Sequence, residues 1–534
     1  MARAKGAMTE LSSEDTPMQN FFRGKSVFIT GASGFLGKVL LEKIVRSCHG
    51  VDKVYCLIRK KDGEDSQQRL QKVFEAPIFD SSRNKLHKVV AVDGDILAEG
   101  LGLSDEDRQM LVENVQIVFH SAASVRFDEP LRKAIDINVL GTRRVVELCH
   151  ELRNCAAFVH VSTAYCFCNR NFVGETIYEE KIPYQKVIDA SEWMNEDTSK
   201  KCLTDIMDNR PTTYHYTKAL AERLLLEEGK GLPIVIIRPS IVTASWREPL
   251  PGWVDNYNGP AGFVIATGKG VMRTMYIRPD SVADVYPVDL VSRMMVTSAY
   301  YCSLQEFVSP YIINCTTGPL RQLTWRQIFE YAKPLVISNP SMEILRYPGG
   351  SFKESKIANY IAMFFDHTIP GFIVDSIAVL FGRKPLPPRQ RLGEVYGKIH
   401  RAMHILEYFT THEWEFSIDN LNKLLTKIEH PKDKADFDFD IRPIDWLPFL
   451  ESYILGVRKY VLKEDPSTLP AARRNLNRIW WIGTVMQMTV LAGTLRLMMR
   501  YSTKFNRFTW DILSRLIGYY IQLRVALKSR KSIK

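Results

Sequence analysis

Val27-Phe28-Ile29-Thr30-Gly31-Ala32-Ser33-Gly34-Phe35-Leu36-Gly37-Lys38 decides the fold. An apolar run ends in three glycines spaced three apart, and the amphipathic pattern Val39-Leu40-Leu41-Glu42-Lys43-Ile44-Val45 follows. This reads as a strand, a tight turn and a helix start, the setting in which a glycine-rich signature binds a dinucleotide. Gly31 permits the turn, Gly34 leaves room for a pyrophosphate, and Gly37 lets helix and strand pack closely. The phosphates are expected on the free N–H groups of the helix N-terminus. Thr30, Gly31, Ser33, Gly34, Phe35, Leu36 and Gly37 are therefore assigned to cofactor binding.

Further strands follow at the spacing of a doubly wound α/β sheet. Val54-Tyr55-Cys56-Leu57-Ile58 ends in Arg59-Lys60-Lys61, with no acid until Asp62. The end of the second strand meets the adenosine ribose in such folds, and an acidic residue there favours NAD. Cations favour the 2′-phosphate of NADPH, so Arg59 and Lys60 join the cofactor set. A third strand, Val89 to Val92, leads to Asp95 and Ile96, placed to contact the adenine. The fourth, Val115 to Phe119, ends in His120-Ser121-Ala122-Ala123-Ser124. Ala122 and Ala123 let the cofactor's sugar lie against the backbone, whereas His120 reads as a packed strand-end histidine. Asn138, in a helical stretch from Ala134 to Cys149, joins the cofactor set: facing the sheet it would organise a water chain, a helix-surface asparagine being the alternative.

The fifth strand, Phe158-Val159-His160-Val161-Ser162-Thr163, carries hydroxyls at its C-terminal end, where ligands bind in open α/β sheets. Tyr214 and Lys218 stand four apart at the start of a helix and share one face. A nearby ammonium lowers a phenol's pKa, so the pair predicts a proton donor or acceptor for a substrate oxygen during hydride transfer. Thr163 or Ser162 would hold that oxygen. A sixth strand, Ile234 to Ser240, is expected to close the parallel series and to bring Pro239 and Ser240 to the cofactor. Beyond it, Trp246 to Gly270 is rich in Gly, Pro and aromatics, as suits a loop lining a substrate site or, equally, an inter-domain turn.

Composition bounds the rest. The 534 residues accommodate two or three domains, and 46% hydrophobic content supplies a sizeable core. The nine cysteines are unpaired in spacing, so neither a metal site nor a disulfide framework is expected, and a reducing, cytosol-facing setting fits. The net charge is +11, but from Glu451 onward 16 Lys+Arg stand against 4 Asp+Glu, leaving the preceding chain nearly neutral. That basic tail is interleaved with Trp, Leu and Ile, which points to membrane lipid and away from nucleic acid. The first 23 residues lack an apolar signal core and are expected to be disordered.

Taken together, TGASGFLGKVLLEK, HVSTAY, TYHYTKALAE, IRPSIV and PGWVDNYNGPAG resemble the alcohol-forming fatty acyl-CoA reductases of the extended short-chain dehydrogenase/reductase superfamily. The resemblance continues through His367-Thr368-Ile369-Pro370-Gly371, Asp375, Gly382-Arg383-Lys384-Pro385 and FDFDIRPIDWLPFLESYILGVRKYVLKED, spanning residues 20 to 465. It implies a Rossmann-type reductase domain (24–330), a mainly helical C-terminal domain (350–465) and a membrane-associated tail (473–534). The implied activity is reduction of a long-chain acyl-CoA to a primary alcohol with two NADPH and release of CoA. Tyr214 and Lys218 match the catalytic pair and Thr163, with Ser162 as neighbour, the hydroxyl. Competing readings are a sterol or sugar-nucleotide dehydrogenase or epimerase of the same fold, and a catalytically silent lipid-binding scaffold. The C-terminal match weighs against the sugar-nucleotide version, and the intact Tyr214, Lys218 and Thr163 against the scaffold.

In the tail, Ile479 to Leu495 is 17 residues without charge, flanked by arginines, and is expected to embed in a membrane. Trp510 to Leu527 reads as an interfacial helix. Ile357 to Phe381 is apolar but interrupted by Asp366, His367 and Asp375, and reads as an acyl-binding or membrane-facing surface. The chain ends Lys531-Ser532-Ile533-Lys534, not in a peroxisomal Ser-Lys-Leu. An endoplasmic reticulum membrane with the reductase domain in the cytosol is expected, the peroxisomal membrane being the alternative. Expected partners are a long-chain acyl-CoA, membrane lipid and a second copy of the chain in a homodimer.

Overall fold

The computed structural model describes residues 16–304, 309–380 and 391–501, with scattered positions from 514 to 521. Its centre is a parallel sheet of seven strands: β1 (Ser26–Thr30), β2 (Val54–Ile58), β3 (Val89–Asp93), β4 (Val115–His120), β5 (Ala157–Val161), β6 (Ile234–Pro239) and β7 (Tyr311–Cys315). They lie in the order β7-β6-β5-β4-β1-β2-β3, so the strand order reverses beside β1. The crevice where a doubly wound sheet binds its ligand opens there.

Both faces of the sheet are covered. Val27 and Ile29 of β1 join one buried cluster and Phe28 the other; Val159 against Phe158 in β5 and Val235 against Ile236 in β6 divide the same way. Strand residues alternate faces, so continuous apolar runs are what a sheet buried on both sides requires. The sixth strand does not close the series. β7 pairs in parallel with β6 from Tyr311↔Val235 to Cys315↔Pro239. The strand is short and contains Asn314, whose buried side-chain amide donates to the carbonyls of Val173 and Ser417. An apolar-run criterion passes over it.

The amino-terminal stretch expected to be disordered is corrected in part. Pro17–Phe22 is a helix with a capping box between Thr16 and Gln19 and proline in its first turn. Met18, Phe21 and Phe22 are buried in the reductase core, and Asp433 accepts from the Thr16 hydroxyl and the Met18 N–H. Residues 1–15 lie outside the described residues.

The C-terminal residues also enter the main core. Phe437, Phe439, Ile441, Ile444 and Trp446 share the buried cluster of Val27 and Ile29. Helix Trp446–Gly456 meets the loop after β6 so closely that a Cβ on Gly252 would lie 2.0 Å from the Ser452 carbonyl oxygen. Helix Leu392–Thr411 packs on Ile369–Leu380, which with Lys356–Met363 and the turn between them forms a 25-residue apolar stretch.

That stretch, and not the tail, is the one helix among the described residues long and apolar enough to cross a membrane; its mean hydropathy is 1.3. Several of its polar residues are engaged by neighbouring elements. Asp366 lies 3.6 Å from Arg273 and Asp375 accepts from the N–H groups of Leu392 and Gly393. Phe364, Phe365, Phe372, Ile373 and Leu380 are exposed. The tail helix, Leu469–Tyr501, exposes Trp481, Ile482, Val485 and Val490, but Gln487, three threonines and two glycines dilute its apolar character. Most of Trp510 to Leu527 lies outside the described residues.

Candidate functional site

A cavity of about 1820 Å³ runs from the glycine turn, past Tyr214, to the C-terminal helices. Its first end is built by close backbone approach. Gly31 has φ +79°, and a Cβ there would sit 2.7 Å from the Ala122 nitrogen; a Cβ on Gly37 would sit 2.1 Å from the Gly31 carbonyl oxygen. Only glycine fits either position. Ser33, Gly34, Phe35 and Leu36 line the cavity, and Gly34 caps helix Phe35–Ser47 without a side-chain bond, leaving N–H groups directed at the space. This cradle fits the pyrophosphate of a nicotinamide dinucleotide. Arg59, Asp95, Ile96, Ala122, Ala123, Pro239 and Ser240 line the same space.

Three residues assigned to the cofactor do not face it. Thr30 is fully buried behind the turn, its hydroxyl 2.7 Å from His120 Nδ1. Lys60 points to the end of β3, 2.9 Å from Asp93. Asn138 is buried as a brace, accepting from the Ser124 N–H and donating to Thr217 Oγ1 at 3.0 Å. In each case the stretch was read correctly, but neighbouring elements turn the side chain away. His120 is a packed histidine, bonded to Thr30 and Thr142 and held down to about 3 by burial and the charge of Lys218.

Midway along the cavity stand Ser162, Thr163, Tyr214 and Lys218. Thr163 lies two residues beyond β5 and caps the short turn Ala164–Phe167; Thr212 caps helix Thr213–Glu228, fixing its first turn against the strand end. The phenol of Tyr214 stands close enough to the Thr163 hydroxyl to feel it electrostatically, and its ring stacks on Phe127 at 5.7 Å; the Thr163 hydroxyl itself donates to the Pro239 carbonyl and accepts from the Tyr165 N–H. Lys218 is buried and donates to the Val161 carbonyl at 2.7 Å. Burial pulls its ammonium down to about 8, with Glu222 and Cys166 opposing. The expected lowering of the Tyr214 pKa is corrected: burial raises it, Cys166 adds to the rise and Thr163 opposes it, while the Lys218 ammonium is spent on the strand backbone. A protonated phenol is a donor, which suits reduction of a carbonyl.

Several lining residues are not singled out by the sequence, although the stretch 246–270 does line the cavity as its composition suggests. Arg69 reaches the adenosine end from helix Ser66–Phe74, its guanidinium donating to the Arg59 carbonyl. Asp255, in the loop after β6, holds Lys38 at 2.6 Å, and Trp253 stacks on Phe35 at 5.4 Å, so that loop clamps the start of the dinucleotide helix. The far wall comes from Phe409, Phe449, Leu450, Tyr453 and Ile454. Their sequence distance from Tyr214 hid them.

Residues 29–295 match an NAD-binding family described as "Male sterility protein", and residues 366–464 match a second family of the same description. Among curated proteins, the chain is 39% identical over 463 residues to human "Fatty acyl-CoA reductase 1", covering 86% of this chain and 89% of that one. Mouse "Fatty acyl-CoA reductase 2" is 36% identical over the same shares. Among solved structures, the terminal R domain from the myxalamid PKS-NRPS biosynthetic pathway superposes with TM-score 0.55 at 19% identity, over 82% of this chain and 90% of that one. The reductase domain of a non-ribosomal peptide synthetase from Mycobacterium tuberculosis gives 0.55 at 18% identity, over 84% and 93%. These two share the fold.

Proposed function

The chain belongs to the fatty acyl-CoA reductase family and is an oxidoreductase, and from that premise we propose that it reduces a long-chain acyl-CoA to the primary alcohol at the expense of two NADPH. One observation carries the reading. A single cavity joins the glycine cradle to an apolar wall, with Tyr214, Thr163 and Lys218 between them.

When bound, the reduced nicotinamide supplies hydride to the substrate carbonyl. Everything else falls to the chain. Gly31, Gly34, Gly37 and the N-terminus of helix Phe35–Ser47 would hold the pyrophosphate, and Arg59, which lines the same space, would bind the ribose phosphate. The Tyr214 phenol donates a proton to the carbonyl oxygen, and the Thr163 hydroxyl, on the same stretch of cavity wall, holds that oxygen in place. Buried Lys218 keeps a positive charge beside the oxygen as it gains electron density. The tetrahedral hemithioacetal then collapses, breaking its carbon–sulfur bond, and CoA leaves as the thiol. The aldehyde stays at the same oxygen site and takes a second hydride and proton to give the alcohol.

The apolar face of Lys356–Leu380 supports contact with a lipid surface, because Phe364, Phe365, Phe372, Ile373, Val374 and Leu380 are exposed together while Asp366 and Asp375 are engaged by neighbouring groups. An endoplasmic reticulum site is the setting we favour. The test supplies membranes holding the full chain with palmitoyl-CoA and either NADPH or NADH. Hexadecanol formed at two NADPH per CoA released is the expected result; aldehyde as the end product, or no lipid product, overturns the proposal.

A further inference from the structure

Helix Leu392–Thr411 runs from the catalytic centre to the rim of the cavity. At its inner end Phe409 lies 4.7 Å from the ring of His215 and 6.0 Å from that of Phe127, and both rings touch Tyr214, at 5.0 and 5.7 Å. Phe409, Ile405, Arg401 and Lys398 recur at helical spacing along the face that lines the cavity. Lys398 is eleven residues from Phe409, which at the rise of an α-helix is about 16 Å.

The charge at that rim is uncommitted. Each carboxylate lining the cavity has its own cation: Asp95 with Arg59 at 3.9 Å, Asp128 with Arg126 at 3.2 Å, Glu129 with Lys133 at 2.9 Å and Asp255 with Lys38 at 2.6 Å. Lys398 and Arg401 are exposed in the mouth with no carboxylate at ion-pair distance among the described residues. Glu407, on the same helix, is taken by Lys356 at 2.7 Å. Two cations one turn apart on a rigid helix, facing a cavity, suit an anion with several phosphate oxygens.

We infer that Lys398 and Arg401 bind the phosphates of the CoA half of the substrate. The inference rests on the acyl-CoA reading above. With the thioester carbonyl at Tyr214, the nearest CoA phosphate lies at the far end of the amide-linked pantetheine arm, which at full extension covers about the distance from Phe409 to Lys398 by ordinary bond lengths. The cofactor's phosphates are accounted for at the opposite end, by the glycine turn and Arg59. The acyl chain is accounted for by the uncharged wall of Phe449, Leu450, Tyr453 and Ile454. That leaves helix Leu392–Thr411 as the track for the CoA arm. Lipid headgroup phosphates share the chemistry, since the apolar face of Ile369–Leu380 packs beside this helix.

The experiment compares the full-length protein with its Lys398→Glu/Arg401→Glu variant on three substrates: palmitoyl-CoA, the N-acetylcysteamine thioester of palmitate, which lacks phosphates, and palmitaldehyde. Losing two charge-assisted contacts and gaining repulsion should lower kcat/KM for palmitoyl-CoA by roughly ten- to a hundredfold, through KM. The two phosphate-free substrates should change by less than about twofold, and Lys398→Arg/Arg401→Lys should restore the CoA substrate. An equal loss on all three overturns the inference as general damage, and no loss on palmitoyl-CoA overturns it outright. Loss of flotation with phosphatidylserine vesicles, at unchanged kcat/KM for detergent-dispersed palmitoyl-CoA, gives the cations to lipid and also overturns it. If the unaltered protein reduces palmitaldehyde but neither thioester, the acyl-CoA reading has failed instead.

Discussion

Lys218 donates to the carbonyl oxygen of Val161 at 2.7 Å, tying the catalytic helix to the last residue of β5. The lysine therefore acts on the site as a fixed charge at a strand end. Tyr214, one turn earlier, keeps its proton because burial disfavours the phenolate.

The first prediction concerns that proton. In Tyr214→Phe the ring still stacks on Phe127, so the fold is expected to survive, but the donor is gone. Reduction of both thioester and aldehyde should fall by roughly a hundred- to ten-thousandfold at unchanged thermal stability. A variant retaining full activity would remove Tyr214 from the chemistry.

A second prediction follows from the burial of Lys218. Its ammonium titrates at about 8 in the folded protein against 10.5 when exposed. Activity that needs the charge should decline as pH rises through 8. Stability should move the other way. Between those two values the unfolded chain binds more protons at this site, so this group's contribution to stability increases with pH. Lys43 also titrates at about 8, so the slope must be read against Lys218→Met. Melting curves from pH 7 to 10 should show the variant losing part of the upward trend, and pH–rate profiles of the unaltered protein should show the falling limb.

How much of this was legible in the sequence follows from how local each feature is. The glycine turn and the Tyr214–Lys218 pair are set by residues within one or two turns of each other, and both stand where the pattern puts them. Thr30, Lys60 and Asn138 belong to correctly read segments, yet His120, Asp93 and Thr217 turn their side chains from the cavity. Lys398 and Phe409 reach the site across nearly two hundred residues, a distance no periodicity spans. Pro17–Phe22 was missed because what orders it is burial against distant helices, including a carboxylate at Asp433.

Coenzyme choice gives the third prediction. Of the cations after β2, Arg59 faces the cavity and Lys60 does not. Arg59→Ala should raise KM for NADPH by roughly ten- to a hundredfold and leave KM for NADH nearly unchanged, because the guanidinium's partner would be the 2′-phosphate that NADH lacks. Lys60→Ala should alter neither by more than about twofold, since its partner Asp93 makes it a surface ion pair. Steady-state titration of both coenzymes decides it, and equal sensitivity of NADH and NADPH to Arg59→Ala would assign Arg59 to another role.

The last prediction separates the two apolar segments. Phe365 and Phe372 are 63% and 73% exposed, so replacing both with glutamate removes little packing and should shift folding stability by less than about 1 kcal/mol. If the face of Lys356–Leu380 enters lipid, each buried phenylalanine contributes roughly 1.5–3 kcal/mol to partitioning. Loss of the pair should therefore cut vesicle binding of the full chain more than tenfold, and the introduced carboxylates would oppose re-entry. The tail helix Leu469–Tyr501 provides the contrast: its exposed Trp481 and Val485 lie on a run of only 17 uncharged residues between Arg478 and Arg496, shorter than the roughly 20 a span needs. Flotation of Phe365→Glu/Phe372→Glu beside Trp481→Glu/Val485→Glu ranks the two. A large effect from the first pair and a small one from the second places the main lipid contact beside the cavity, where a water-insoluble alcohol has the shortest path into the bilayer. The reverse ranking makes the tail the anchor and leaves the Lys356–Leu380 face to pack against something other than lipid.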